Sequence, residues 1–284
     1  MQSMTDFLLK ALAALILFSC VGGSVQAAGN LMVTPTRIVF EQRDRSAQIT
    51  LVNQGNKSSF FRISFLRQNM TENGEFVPIE EGEPGMFSDS MIRYSPRQVS
   101  LPPGQSQVIR LALRKPGDLA KGEYRSHMLF QALPEPSTTS VEAITQQEPE
   151  GITIELIPIV GVSIPVIVRH GELSSKVALA NPAIVAATKT SNHRKIAVDI
   201  NRQGDSSAYG DLRATYTPEG GTPIVIAQAN SVAVYANMQT RRFEMPLNLP
   251  VDFSLENGEV DLVFLKSGAN EKSGTLARTL IILN

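Results

Sequence analysis

Between Ile152 and Val168 the chain reads ITIELIPIVGVSIPVIV, and every even-numbered position in that run is apolar. Side chains alternate across an extended strand, so Ile152, Ile154, Leu156, Pro158, Val160, Val162, Ile164, Val166 and Val168 project from one face. At ~3.3 Å per residue the run reaches about 55 Å, whereas an ordinary strand of about 5 to 6 residues spans roughly 20 Å. Either it bends into two strands, with Gly161 as the natural break, or part of it overshoots its own domain. An overshooting apolar strand invites a partner. Proline cannot donate to a ladder, and the separation of Pro158 and Pro165 puts their missing donors on opposite edges. Pairing along the strand is therefore expected to change. Residues around Val162 to Val168 belong to the chain's own sheet, and those around Ile152 to Val160 are available to another chain. A strand buried throughout in a long sandwich is the alternative.

The rest of the chain from Met32 onward consists of short alternating runs punctuated by turn residues, the pattern of an all-β sandwich. Strands are predicted near Met32 to Phe40, Ser46 to Asn53, Phe60 to Gln68, Ser90 to Ser95, Gln98 to Leu101, Gln105 to Leu113 and Gly122 to Ala132. Turns fall at Asn53 to Asn56, Asn73-Gly74 and Pro102-Pro103-Gly104, where glycine freedom or the fixed φ of proline favours reversal. The segment from Leu133 to Gly151 is rich in Pro, Ser, Thr and Glu and predicts a mobile loop just ahead of the long stripe. After Arg169-His170-Gly171 a second series begins, with runs near Ser175 to Ala180, Lys195 to Asn201, Asp211 to Thr217, Ile224 to Ala227, Ser231 to Tyr235, Arg241 to Leu247, Glu259 to Lys266 and Thr275 to Leu283. Two sandwich domains are expected, over residues 28 to 171 and 172 to 284, without a sequence period that would make them a tandem repeat.

Residues 1 to 27 have the form of a secretory signal peptide: Lys10, an apolar core from Ala11 to about Val21, and small residues at Val25 and Ala27, with cleavage expected after Ala27. That core is too short to span a bilayer, which needs about 20 apolar residues. The only cysteine, Cys20, lies within this segment. A lipidated terminus fits poorly because Phe18 precedes it by two positions. No disulfide is then left to hold the fold, so the cores must do so. A formal net charge of −1 provides no field for nucleic acid.

Chemistry has little foothold. The three histidines, His127, His170 and His193, stand far apart with no ligand spacing, and are expected to be ordinary surface or strand residues. No nucleophile elbow, phosphate-binding glycine loop or H-E-x-x-H is present. Glu80, Glu81 and Glu83 lack the alternating Asp/Asn pattern of a calcium loop. Arg93, Arg97, Arg110, Arg114 and Lys115 are read as solvent-facing strand positions without stacking aromatics. The expectation is a non-enzyme with no cofactor, no metal, no nucleic-acid partner and no small-molecule substrate.

Several segments together resemble the periplasmic chaperones of the chaperone–usher pilus pathway. Thr36-Arg37-Ile38-Val39-Phe40 resembles that family's first strand. Ser95-Pro96-Arg97, Leu101-Pro102-Pro103-Gly104-Gln105 and Val108-Ile109-Arg110-Leu111 resemble its P-x-x-x-x-L-x-P-G-x-x-x-x-[IV]-R-L region. Gly122-Glu123-Tyr124-Arg125-Ser126 through Leu133-Pro134 resembles the strand before its variable loop. The resemblance covers roughly Leu31 to Gly171; over the second series only the architecture is shared.

The resemblance implies two immunoglobulin-like β-sandwich domains in a boomerang arrangement that bind pilus or fimbrial subunits in the periplasm and pass them to an outer-membrane usher. The subunit-binding donor strand would consist of Ile152, Ile154, Leu156, Pro158 and Val160, adding a strand to the subunit's open edge while alternate side chains fill its core. Arg37 matches the first-strand arginine that anchors the subunit's C-terminal carboxylate, a role suited to a guanidinium fork. The second anchor, a lysine four positions before the arginine matched by Arg169, is replaced by Pro165. The cysteines flanking the loop in many long-loop members are also missing, which marks a divergent branch. The rival readings are a structural or adhesive surface protein built of the same sandwiches, and a periplasmic hydrolase, for which no constellation is offered.

Overall fold

The structure is a computed structural model that describes residues 31–80, 82–134, 160–187, 193–250 and 253–283. Its strands in the first part of the chain are β1 (Leu31–Thr34), β2 (Ile38–Phe40), β3 (Ser46–Asn53), β4 (Ser59–Leu66), β5 (Gln68–Met70), β6 (Phe76–Pro78), β7 (Ile92–Ser95), β8 (Gln98–Leu101), β9 (Ser106–Leu113), β10 (Gly122–Leu133) and β11 (Gly161–His170). The second part holds β12 (Ser175–Val185), β13 (Lys195–Gly204), β14 (Ala208–Pro218), β15 (Ile224–Val234), β16 (Thr240–Pro246), β17 (Gly258–Lys266) and β18 (Thr275–Leu283).

Strands β1-β3-β9-β7 form one sheet and β2-β11-β10-β4-β8 the sheet facing it; β12-β13-β16 and β15-β14-β17-β18 make the second pair. The fold is all-β with two sandwiches. Pairing is antiparallel except where β2 runs parallel to β11, Ile38 to Phe40 opposite Val166 to Val168. The alternating pattern of β3 and β9 explains their place. Ile49, Leu51, Ile109 and Leu111 are almost wholly buried on one face while Gln48, Arg110 and Ala112 look outward. Each such side chain contributes ~1.5–3 kcal/mol on burial.

Local chemistry accounts for the departures from the predicted strands. The run from Met32 to Phe40 is divided: β1 pairs with β3 in one sheet and β2 with β11 in the other, with Pro35 in the crossing where no ladder donor is required. Ser175 to Ala180 continues to Val185, because a register shift between Ala180 and Ala183 absorbs Asn181 (φ 48°) and Pro182. The two runs around Ile224 and Ser231 are one strand, β15, which shifts register twice against β14.

The turn expected at Asn73-Gly74, where Gly74 has φ +85°, joins two short strands that were not foreseen, β5 and β6, into a hairpin. It leaves the first sandwich and reaches the second. Met70 is buried in the second core, and Glu72 C=O accepts from Arg242 N–H at 2.8 Å. Ile167 of β11 also points into the second core, whereas its neighbours Val166 and Val168 point into the first. One strand thus contributes to both cores through its opposite faces.

Candidate functional site

The apolar stripe is described from Val160 onward, and β11 begins at Gly161. From Ile164 through Val166 to Val168 its even positions line the first core. Residues 161 to 170 are paired with β10 along their whole length, but β2 covers the other edge only at Val166 to Val168. Among the described residues, the edge of β11 from Gly161 to Pro165 has no ladder partner.

Pairing parity explains the position of Pro165. Ala132 N–H donates to Val160 C=O at 2.9 Å, so the even residues of β11 exchange hydrogen bonds with β10. Pro165, opposite His127, therefore directs its missing donor away from β10, one residue before β2 begins to pair. At the leading end Val160 and Val162 continue the apolar stripe past the end of the core and are 41% and 37% exposed. Of the expected donor residues only Val160 can be placed; Ile152, Ile154, Leu156 and Pro158, most of the preceding loop and the expected signal peptide lie outside the described residues.

Arg37 stands immediately before β2, between the sandwiches. Its Nη2 donates to Ser207 Oγ at 3.1 Å, its guanidinium lies 4.3 Å from the centre of the Tyr209 ring, and its Nη1 is buried with no hydrogen-bond partner among the described residues. Burial pulls its pKa below the usual arginine range, and Arg169 adds to this, against the raising influence of Tyr235, Glu123 and Tyr209. It is thus brought together with a set of polar residues that the sequence reading did not single out.

These come mainly from β10, whose even positions face the first core and whose odd positions Glu123, Arg125 and His127 face the second sandwich. The Glu123 side chain is 1% exposed, and its Oε2 accepts from Arg169 Nε, Ser207 N–H and Ser207 Oγ, each at 3.0 Å. Its Oε1 is buried without a hydrogen-bond partner among the described residues. Arg169 also reaches Glu41 at 2.9 Å. Arg125 Nη2 donates to Gln68 C=O at 3.1 Å and its guanidinium lies 3.7 Å from the Tyr235 ring centre, while its Nε and Nη1 are buried without a hydrogen-bond partner among the described residues. Burial, outweighing the attraction of Tyr235 and Glu123, lowers the Arg125 pKa to about 10, so it stays charged at neutral pH.

Of the two expectations for His127, surface or strand, the structure shows a strand residue of β10 that is buried. It is 2% exposed, neither ring nitrogen has a partner, and it sits edge-on to Phe76 of β6 and to Tyr235. Burial, with Arg125 and Arg37 adding to it, pulls its pKa down to about 3. The imidazole is neutral. The polar alternation Glu-x-Arg-x-His in β10 was the available signal: ionisable residues at every second position of a strand show a face that is not core, but only the fold shows that another sandwich covers it.

Of the scattered basic residues, Arg93, Arg97, Arg110 and Arg114 are exposed as expected, but Arg97 does stack, 5.0 Å from the Tyr94 ring centre. Lys115 is half-buried and donates to Arg169 C=O at 2.7 Å. A cavity of about 240 Å³ opens beside the cluster, with Glu123 and Arg125 in its wall together with Gln68, Ile79, Met86 and Phe87.

No protein-family model and no curated protein sequence matches the chain. Among solved structures, it is similar to the YadV chaperone at 11% identity and a TM-score of 0.44, over 89% of this chain and 100% of that one. It is also similar to the class 5 fimbriae chaperone CfaA at 16% identity and a TM-score of 0.38, over 90% and 99%. The CupB2 chaperone of Pseudomonas aeruginosa matches at 11% identity and a TM-score of 0.39, over 88% and 98%.

Proposed function

We propose that the protein is a non-enzymatic periplasmic chaperone of the chaperone–usher type, a divergent one, organised as domains 28 to 171 and 172 to 284 behind a cleaved signal peptide. It binds pilus or fimbrial subunits by lending them the segment Ile152 to Val160, prevents their aggregation and delivers them to an outer-membrane usher. The observation that carries this reading is the open edge of β11. Among the described residues, Gly161 to Pro165 has backbone pairing on one side only, and Val160 and Val162 extend its apolar face beyond the core. An edge of that kind supports strand addition, in which backbone bonds supply affinity and alternate side chains supply specificity. Arg37 is the proposed carboxylate anchor, supported by its Nη1, which is buried without a hydrogen-bond partner among the described residues.

The test is co-purification from cells that express the protein with its candidate subunits. The double substitution Ile154→Asp and Leu156→Asp abolishes recovery of the subunit while the melting midpoint of the free protein is unchanged. Retained subunit binding refutes the donor-strand assignment, and recovery of the protein in an assembled surface filament favours a structural role instead.

A further inference from the structure

The hairpin of β5 and β6 straps the first sandwich to the second. Met70 enters the second core, Glu72 C=O accepts from Arg242 N–H at 2.8 Å, and Gly74 lies so close to the Arg241 guanidinium that a Cβ has no room. The strap is light. Each strand has three residues, a lone two-stranded hairpin is marginally stable, and Phe76 and Val77 remain 43% and 49% exposed. Beneath it the Phe76 ring centre lies 5.0 Å from that of His127 and 6.2 Å from that of Tyr235. His127 belongs to neither hydrophobic core, yet it is buried, and neither ring nitrogen has a hydrogen-bond partner among the described residues.

The groups packed around this imidazole suit its neutral form. Arg125 stands two residues away on the same face of β10, Arg37 acts from the segment ahead of β2, and both guanidiniums oppose a positive charge at His127. Tyr235, which follows β15, is kept neutral by burial and turns its ring face to Arg125. Opposite His127 in the ladders stand Pro165 of β11 and Leu66 of β4, neither of them ionisable. Phe76 offers a ring from β6 but no acceptor for an N–H. Glu123, the carboxylate on that face of β10, is four residues away, and its Oε2 is held by Arg169 and Ser207. A buried imidazolium there carries two N–H donors with nothing to receive them, whereas water receives both once the hairpin lifts.

We propose that His127 is an acid-operated release for the strap: when its imidazole takes a proton, the hairpin of β5 and β6 lifts from β10 and from the second sandwich while both sandwiches stay folded. Gln68, Asn69 and Ile79, which wall the cavity together with Glu123 and Arg125, flank or belong to the hairpin, so its release also brings water to the buried donors of Arg125. The short ladder and exposed face of the hairpin make it the element that opens first, because local opening costs least where few apolar contacts are lost. The device does not depend on the donor-strand reading.

The experiment is amide hydrogen exchange of the purified protein, read residue by residue by NMR at pH 7 and pH 4.5 and corrected for the intrinsic chemistry of exchange. The informative amides are Arg242 N–H, which donates to Glu72 C=O, and Ile79 N–H, which donates to Arg67 C=O. Burial, with Arg125 and Arg37, holds the imidazole at about 3 in the closed state, and it returns to 6.5 in the open one, so the opening constant rises roughly 75-fold between the two pH values. Protection of both amides falls by that factor, while Ile49 in the first core and Leu262 in the second stay protected. In His127→Leu the two amides are equally protected at both pH values, and Glu123→Gln keeps the response. Unchanged protection in the unsubstituted protein overturns the proposal. So does a response that survives in His127→Leu or disappears in Glu123→Gln, or a matching loss at Ile49 and Leu262, which is unfolding of the whole chain. Because the comparison of the two pH values needs no variant, misfolding of His127→Leu leaves the proposal testable.

Discussion

Removing the Glu123 carboxylate is the most informative perturbation of the join between the sandwiches. Glu123→Ala deletes a side chain that is 1% exposed, takes three hydrogen bonds at 3.0 Å from Oε2 and leaves Arg169 Nε, Ser207 N–H and Ser207 Oγ without that acceptor. Arg37 and Arg125 lose a favourable negative charge at the same time. Breaking a buried ion pair by removing one partner costs ~3–5 kcal/mol. Arg169 keeps Glu41, so the lower half of that range applies, about 3 kcal/mol. Against a total stability of roughly 5–15 kcal/mol, this is a large fraction.

The loss is also localised, since Glu123 and Arg169 belong to the first sandwich and Ser207 to the second. Urea unfolding followed by circular dichroism is the assay, with Glu123→Gln as the control that keeps one acceptor oxygen. Glu123→Ala lowers the midpoint by about 1 M or more if the slope is ~1–3 kcal/mol per M, and Glu123→Gln falls between it and the parent. The loss of coupling also broadens the transition or splits it in two. A change below about 1 kcal/mol for Glu123→Ala refutes the assignment of this carboxylate as the keystone of the interdomain cluster.

Replacing His127, which makes no hydrogen bond, by Leu is expected to leave stability at pH 7 unchanged within ~1 kcal/mol or to raise it. Its folded pKa of about 3 lies below the ordinary value of 6.5, so the unfolded chain binds the extra proton between those values; stability therefore falls as pH drops through that window, and His127→Leu flattens the acid limb of a stability–pH curve. An imidazole resonance of His127 that titrates near pH 6.5 contradicts this environment. Met70→Ala, in the hairpin that crosses to the second core, should cost about 2–5 kcal/mol in the unfolding of the second sandwich and little in the first, read by hydrogen exchange on β13 and β4.

The limits of sequence reading show in particular elements. Strands β3, β7, β8, β9 and β10 were legible because each is several residues long, alternates cleanly and ends at a turn with a backbone reason, as at Pro102-Pro103-Gly104. Strands β5 and β6 were not, since three residues are too few to display a period of two. The extension of β12 was hidden by Asn181-Pro182, which terminates a strand by local rules but is accommodated here by a bulge. At the candidate site, the alternation that buries Ile164, Val166 and Val168 was legible, and Arg37 was carried by its resemblance. Arg125 and His127 were visible as strand residues without a visible purpose.

By itself the amino-acid order determined the all-β character, the two series of strands and the apolar face that outruns its core, because side-chain alternation is a local property of the chain. Only the tertiary structure decided which edge of β11 has no ladder partner among the described residues, because that depends on where β2 stops pairing. It also decided that the polar face of β10 is covered by a second sandwich. Burial and charge balance arise from neighbours distant in sequence, and no window of residues around Glu123 or Arg125 contains them.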